Sequence, residues 1–178
     1  DSLPGNDSII VNYTKVDTQA IPIGPVTFDG YTGSNLATAF PGWDEGDGPG
    51  IPEIGATSSW FRDDFGNDAA NPNGDAARIN LGSLTLDEWI VSPPFIPGAL
   101  DVLSFDLAVT DELSSPAAKV IPPDSRVLVM ITTDCGASWT SLKEYNSSSN
   151  ISNTGQKDFV QIDQFAGQEI RIAFYAQG

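Results

Sequence analysis

The strongest constraint on this chain is the two-residue period of its apolar positions, which occur in short segments. In "LSFDLAVT", Leu103, Phe105 and Leu107 fall on one face while polar or small residues take the other. "EIRIAFYA" alternates in the same way through Ile170, Ile172 and Phe174. Because side chains of a strand point to opposite faces in turn, this pattern predicts β-strands, and helical periodicity is almost absent.

About ten short strands are predicted, and turn sequences such as "NPNGD" and "IPPDS" separate several of them. "RVLVMITT" is apolar on both faces, which predicts a central strand. This organisation favours an all-β fold, a sandwich or a barrel. The 178 residues suit one domain. We assign residues 1–26 to an N-terminal extension or edge strand, since "SIIVNYT" is strand-like but prolines follow it, and residues 27–178 to the domain.

The charge balance restricts the partners. The chain has 24 acidic and 8 basic residues, for a net charge of −16. Such a surface repels nucleic acid and anionic membranes. No apolar run approaches the roughly 20 residues that a membrane helix needs, so membrane insertion is not expected. The chain begins "DSLPGNDS" without an initiator Met, and we interpret it as a piece of a longer secreted protein.

The single cysteine, Cys135, lies in "ITTDCGASWTSL". A nucleophilic thiol needs a neighbouring base or cation, but the chain has no histidine and Asp134 precedes the cysteine. The segment instead predicts a hairpin loop in which Gly136 takes a positive φ. The lack of histidine also removes the serine–histidine–aspartate triad and the usual zinc sites. We therefore expect no enzymatic activity.

Acidic and amide side chains predict a calcium site, because calcium prefers oxygen ligands. Residues 41–56, "PGWDEGDGPGIPEIGA", are predicted to form a long acidic loop without strands. The chosen ligands are Asp29, Asp44, Asp47 and Asp75, and further candidates are Glu45, Asp63, Asp64, Asn67, Asp68, Asn71 and Asn73. The alternative is that these side chains form turns with their own backbone.

Aromatic residues predict a glycan-binding surface. Trp89 lies among apolar strand residues and is expected in the core. Trp43 and Trp60 flank the acidic loop and are expected to be exposed, so they and Phe61 are the candidates for stacking on sugars, with Trp139 a further aromatic on the same chain.

Several motifs follow one another in a familiar order. "TFDGYTG" and "AFPGW" come first, then "DEWIVSPPF", "TTDCGASW" and "FAGQEIRIAF". Together they resemble the cleaved-adhesin or choice-of-anchor J (MAM-like) jelly-roll domain of secreted Bacteroidetes-type surface proteins, over residues 27–176. The resemblance implies a two-sheet antiparallel jelly roll, no catalysis, a structural calcium to which Asp29 contributes, and export by the type IX system to the cell surface of a Gram-negative bacterium.

Members of that family close the fold with one further strand, which is missing after "FYAQG". An open sheet edge recruits another strand. The resemblance therefore predicts that "EIRIAFYA" is an edge strand that pairs with another chain of the parent protein, another subunit or the "SIIVNYT" segment.

Two functions follow from the sequence. The first is a non-catalytic adhesion or accessory module that is stabilised by calcium and binds a glycan or a surface protein. The alternative is a carbohydrate-binding module of a secreted polysaccharide-degrading enzyme.

Overall fold

Ten β-strands make up most of the regular structure. The computed structural model describes residues 26–31, 36–56, 58–70, 74–82, 85–111 and 117–178. The strands are β1 (Asp44–Asp47), β2 (Glu53–Ile54), β3 (Phe61–Asp64), β4 (Asp75–Arg78), β5 (Asp87–Val91), β6 (Val102–Leu107), β7 (Arg126–Thr132), β8 (Thr140–Tyr145), β9 (Gln156–Gln161) and β10 (Arg171–Gln177). One short helix, α1 (Leu36–Ala39), and two 3-10 turns at Phe65–Asn67 and Asp163–Phe165 complete the elements.

The first layer is a six-stranded antiparallel sheet in the order β2-β1-β5-β10-β7-β8. Its inward face carries alternate residues of each central strand, among them Ile172, Phe174 and Ala176 of β10. β7 lies between β10 and β8, which confirms the central position predicted from "RVLVMITT".

The second layer consists of two antiparallel two-stranded ribbons, β3-β4 and β6-β9. The β6-β9 ribbon packs Leu103, Phe105 and Val160 against Val129 and Ile172 of the large sheet. The β3-β4 ribbon packs Ala77 and the preceding Trp60 against the same face. The predicted all-β antiparallel sandwich of about ten strands is confirmed, with a second layer that is split into two ribbons.

The outward face of the six-stranded sheet is also apolar. Trp89 is fully buried and stacks on Tyr175 with ring centroids 3.9 Å apart. Trp139, from the β7-β8 hairpin, packs on this pair at 5.4 Å from Trp89. The β1-β2 loop adds a hydrogen bond from the Trp89 indole to the Gly48 carbonyl at 2.8 Å. The prediction that Trp89 belongs to the core is confirmed.

The prediction of a loop without strands over residues 41–56 is wrong, because β1 and β2 lie within it and β1 pairs with β5. Two of the three acidic residues of β1, Asp44 and Glu45, have hydrogen-bond partners from distant segments. Gly46 is required by close packing, since a Cβ there would lie 2.8 Å from the Glu53 carbonyl oxygen.

The prediction that the last strand lies at a sheet edge is also wrong. β10 is hydrogen-bonded to β5 on one side and to β7 on the other over nearly its whole length. β5 and β7 therefore occupy the two sides of β10, where a partner strand from outside was expected. "SIIVNYT" and the N-terminal extension, apart from Val26, lie outside the described residues.

Candidate functional site

Two of the four predicted calcium ligands lie together. The backbone N–H of Asp75 donates to the Asp29 carboxylate at 3.3 Å, and the Gly30 N–H donates to the Asp75 carboxylate. Arg62 forms an ion pair with Asp75, and its hydrogen bond is the main reason that the pKa of Asp75 lies below its usual value. The guanidinium thus already supplies a positive charge at this pair.

The other two predicted ligands lie on opposite faces of the large sheet, because they are three residues apart on β1. The Asp44 carboxylate accepts a hydrogen bond from Arg171 of β10. Asp47 is exposed and stands directly opposite Glu53 of β2 and Glu88 of β5. The four aspartates therefore do not form one ligand set.

Most of the further metal candidates have other partners. Asp63 pairs with Arg78, Asp64 with Arg62, and the Asn67 amide donates to the Asp111 carbonyl. Asp68 accepts the Ala70 N–H at 3.0 Å, a side-chain turn of the kind named as the alternative. Asn71 and Asn73 lie outside the described residues. Within the part of the chain that the structure describes, no group of three or more acidic, cysteine or histidine side chains is arranged to hold a metal ion, so calcium binding stays a prediction.

A buried carboxylate, Glu45, holds the chain around this region together. Its side chain accepts hydrogen bonds from the Tyr31 hydroxyl at 3.0 Å, the Ser58 hydroxyl at 2.7 Å and the Leu36 backbone N–H at the start of α1. Glu45 is 5% exposed. Burial and the adjacent carboxylate raise the pKa of Tyr31 above its ordinary value. Glu45 is thus an anchor for loops on either side of β1.

The expectation that Trp43 and Trp60 are exposed is wrong. Their exposed fractions are 9% and 6%, and both belong to the core between the large sheet and the β3-β4 ribbon. Trp43 packs edge-on against Phe28 with ring centroids 5.8 Å apart. Phe61 is half-buried, and the Arg78 guanidinium lies 5.4 Å from its ring centroid. The indole rings therefore have no face available for stacking on a sugar.

The predicted β7-β8 hairpin is confirmed. Cys135 and Gly136 occupy its tip with φ values of 59° and 93°, and the thiol is exposed. Asp134 binds the Ser138 hydroxyl at 2.6 Å and the Thr132 hydroxyl at 2.7 Å, and these bonds lower its pKa to about 2. The acidic residue before the cysteine therefore fixes the turn.

An apolar stripe lies on the outward face of the β6-β9 ribbon. Phe159 is 54% exposed and is the one exposed aromatic side chain among the described residues. It stands opposite Ser104, which makes Val102, 40% exposed, its diagonal neighbour on the same face. Leu100, two residues before Val102, is 92% exposed. We call Val102 and Phe159, together with Leu100 from the turn that precedes β6, the apolar stripe. Asp106 and Lys157, whose charged groups are 2.8 Å apart, form an ion pair next to Phe159 and Ser104 on the ribbon.

A polar groove of about 620 Å³ lies at one end of the large sheet. It is formed by the start of β7, the end of β8 with the loop that follows, and the end of β10. Its main polar lining residues are Asp124, Arg126, Glu144, Asn146, Ser148 and Gln177. This groove was not predicted, because its residues come from three segments that are far apart in the sequence.

The basic residues that the structure describes are neutralised within the protein. Of eight lysines and arginines, Lys15 lies outside the described residues, and the other seven each form an ion pair with a carboxylate. Since the chain has 24 acidic residues, the charge that a partner meets is predominantly negative.

No protein-family model matches this chain, and no curated protein matches it. The family resemblance therefore rests on the sequence motifs alone. The part of the chain that the structure describes contains no helix long and apolar enough to cross a membrane.

Proposed function

We propose that this chain is a non-catalytic adhesion or accessory module of a secreted or cell-surface protein of a Gram-negative bacterium. The observation that carries the proposal is the apolar stripe. Exposed apolar side chains that cluster on a rigid sheet mark interaction surfaces, and aromatic residues are enriched at the centres of such interfaces. Phe159 is the anchor of this surface.

The charge distribution indicates the kind of partner. Lys157 and Asp106 beside the stripe neutralise each other, and the remaining surface is acidic. The apolar stripe and its acidic surroundings are complementary to a protein surface with an apolar centre and a basic rim. Opposite charges across the rim accelerate association and exclude acidic competitors. The partner in this proposal is thus a surface protein of that chemistry.

The shifted carboxyl groups support a non-catalytic role. A general acid at neutral pH needs a raised pKa. The pKa values of Asp75, Asp134 and Asp158 all lie below the ordinary value, and the main cause in each is a hydrogen bond from a neighbouring side chain. These bonds hold structure in place and keep the carboxylates ionised.

A carbohydrate-binding module is the second candidate. With Trp43 and Trp60 in the core, the observation that favours it is the polar groove. A small number of precisely placed polar groups fixes the orientation of a bound ligand and gives the site its specificity.

Surface plasmon resonance on immobilised fibronectin, fibrinogen and collagen tests the adhesion proposal. We expect the isolated chain to bind at least one of them, and Phe159→Ser to weaken that binding at least tenfold. Ile54→Ser is the matched control, because Ile54 is 46% exposed on β2, at the far edge of the large sheet. Equal loss in both variants, no binding to any of the proteins, or turnover of polysaccharide or ester substrates by the chain would contradict the proposal.

A further inference from the structure

The polar groove is built from strands held in register. Arg126 of β7 stands directly opposite Gln177 of β10, so both side chains lie on the outward face of the large sheet. Glu144 of β8 stands opposite Leu128 and shares that face. The floor of the groove is therefore part of the sandwich, and its geometry does not depend on a loop alone.

One chain of interactions links four planar side chains across the groove. Asn146 Nδ2 donates to Glu144 Oε1 at 2.9 Å. Glu144 Oε2 lies 3.7 Å from Arg126 Nη1, and Arg126 Nε donates to Gln177 Oε1 at 2.7 Å. Each member fixes the orientation of the next, so the groups are preorganised, which lowers the entropy cost of binding a ligand.

The loop after β8 fixes Asn146, which is the last side chain in this series of interactions. Asn146 Oδ1 accepts the backbone N–H of Ser148 at 2.9 Å and the Ser148 hydroxyl at 2.7 Å. The Asn146 backbone N–H donates a hydrogen bond to the Ser149 hydroxyl oxygen at 3.0 Å. The carboxamide of Asn146 is thus held with its amino group toward Glu144.

Hydrogen-bonding capacity remains at the groove after these bonds are made. The side-chain carbonyl oxygen of Gln177 accepts the hydrogen bond from Arg126, and its carboxamide also carries two N–H donors. Arg126 and Glu144 keep side-chain exposures of 46% and 40%, so both reach solvent. The groove therefore offers hydrogen-bond donors and acceptors side by side. Two adjacent hydroxyl groups of a sugar ring can each form a hydrogen bond with such a pair.

Charge narrows the class of ligand. Asp124 and Glu144 outnumber the single guanidinium of Arg126 at the groove, and the whole chain carries −16. Uronates and sulfated sugars would be repelled. None of the described residues that line the groove is aromatic, so recognition relies on hydrogen bonds rather than on stacking.

We propose that this groove binds an uncharged oligosaccharide through Arg126, Glu144, Asn146 and Gln177. The inference rests on the carbohydrate-binding alternative for its class of ligand, and it is independent of the apolar stripe.

Nuclear magnetic resonance titration of the whole ¹⁵N-labelled chain tests this assignment. The probes are uncharged hexasaccharides of glucose, mannose, galactose and xylose, with oligogalacturonate and hexalysine for comparison. We expect at least one neutral sugar to shift the amide signals of residues 124–126, 144–148 and 177. Shifts confined to other residues, no shift with any neutral sugar, or a response to hexalysine alone would overturn the proposal.

Substitutions identify the groups responsible. Gln177→Ala and Asn146→Ala should each weaken the sugar affinity at least tenfold. Gln168→Ala is the matched control, since Gln168 is exposed on the loop before β10 and away from the groove. Phe159→Ser should leave the sugar affinity unchanged, which separates this site from the adhesion surface. Unchanged affinity in both groove variants would contradict the assignment, and the titration of the unsubstituted chain decides the matter if either variant fails to fold.

Discussion

The Tyr145 hydroxyl of β8 donates a hydrogen bond to the Asp158 carboxylate of β9 at 2.6 Å, and so joins the two layers of the sandwich at the edge of the large sheet. Lys143, also on β8, donates to the other carboxylate oxygen at 2.6 Å. Both strands turn these polar side chains inward beside the apolar core, where an unpartnered charge would be costly. The Asp158 carboxylate thus links the two layers through side-chain hydrogen bonds, since β8 and β9 belong to different sheets.

Asp158 makes the stability of the fold dependent on pH. The hydrogen bonds from Lys143 and then Tyr145 hold the pKa of Asp158 below its usual value. A lowered folded pKa contributes stability that is present above the unfolded pKa of about 3.9 and is lost as pH falls through the folded value. We expect the free energy of unfolding to fall below about pH 4, and Asp158→Asn to lessen this dependence. Urea unfolding at a series of pH values measures it; parallel pH profiles for the two proteins would contradict the role of Asp158.

Removal of the Glu45 carboxylate should destabilise the protein strongly. Glu45→Ala leaves the Ser58 hydroxyl and the Leu36 N–H without their acceptor in a buried site, and the Tyr31 hydroxyl keeps only the Trp60 carbonyl at 3.2 Å. We expect a loss of about 2–4 kcal/mol of stability, and a smaller loss for Glu45→Gln, which keeps a carbonyl acceptor. Chemical denaturation measures both, with the exposed Glu169→Ala as control. A loss in Glu45→Ala no larger than that in the control would show that these bonds contribute little.

The row of like charges across β2, β1 and β5 should be destabilising. Asp47 faces Glu53 and Glu88 directly, and opposed like charges on neighbouring strands repel. Asp47→Asn should raise stability by roughly 0.2–1 kcal/mol, and high salt should reduce the gain. Glu169→Gln, exposed on another loop, controls for the change in net charge. Destabilisation by Asp47→Asn, above all in the presence of calcium, would instead identify Asp47 as a ligand.

The calcium prediction has a thermal test. An ion bound only to the native state stabilises it by mass action, so EDTA should lower the Tm and millimolar calcium should restore it. Asp29→Asn should abolish the response, because Asp29 lies against Asp75 without a cation of its own among the described contacts. Identical calorimetric transitions with and without chelator would show that Arg62 alone balances this pair.

Sequence pattern was sufficient where apolar side chains occupy the buried face of a strand. The alternation in "LSFDLAVT" and the apolar run "RVLVMITT" predicted β6 and β7. A strand that buries one face has apolar residues at every second position, and one that buries both faces is apolar throughout. The β7-β8 hairpin was predicted from local turn chemistry, and Gly136 has the positive φ expected of it.

Pattern failed where a residue's environment comes from distant segments. β1 reads as an acidic loop, since nothing near Asp44 and Glu45 in sequence shows that Arg171, Tyr31 and Ser58 will satisfy their carboxylates. Trp43 and Trp60 flank polar sequence and were expected at the surface, yet the β3-β4 ribbon and α1 enclose them. Burial of this kind is a property of packing, not of neighbouring residues.

The sequence by itself determined an all-β chain of short antiparallel strands with a strongly acidic surface, because strand periodicity and charge are properties of each segment alone. Only the tertiary structure decided that β10 lies between β5 and β7, that Phe159 and Val102 share an exposed face, and that Arg126, Glu144 and Gln177 meet in one groove. The physical reason is that strand order depends on which distant strands pair. The free energy of that pairing depends on both strands together, so neither segment alone predicts it.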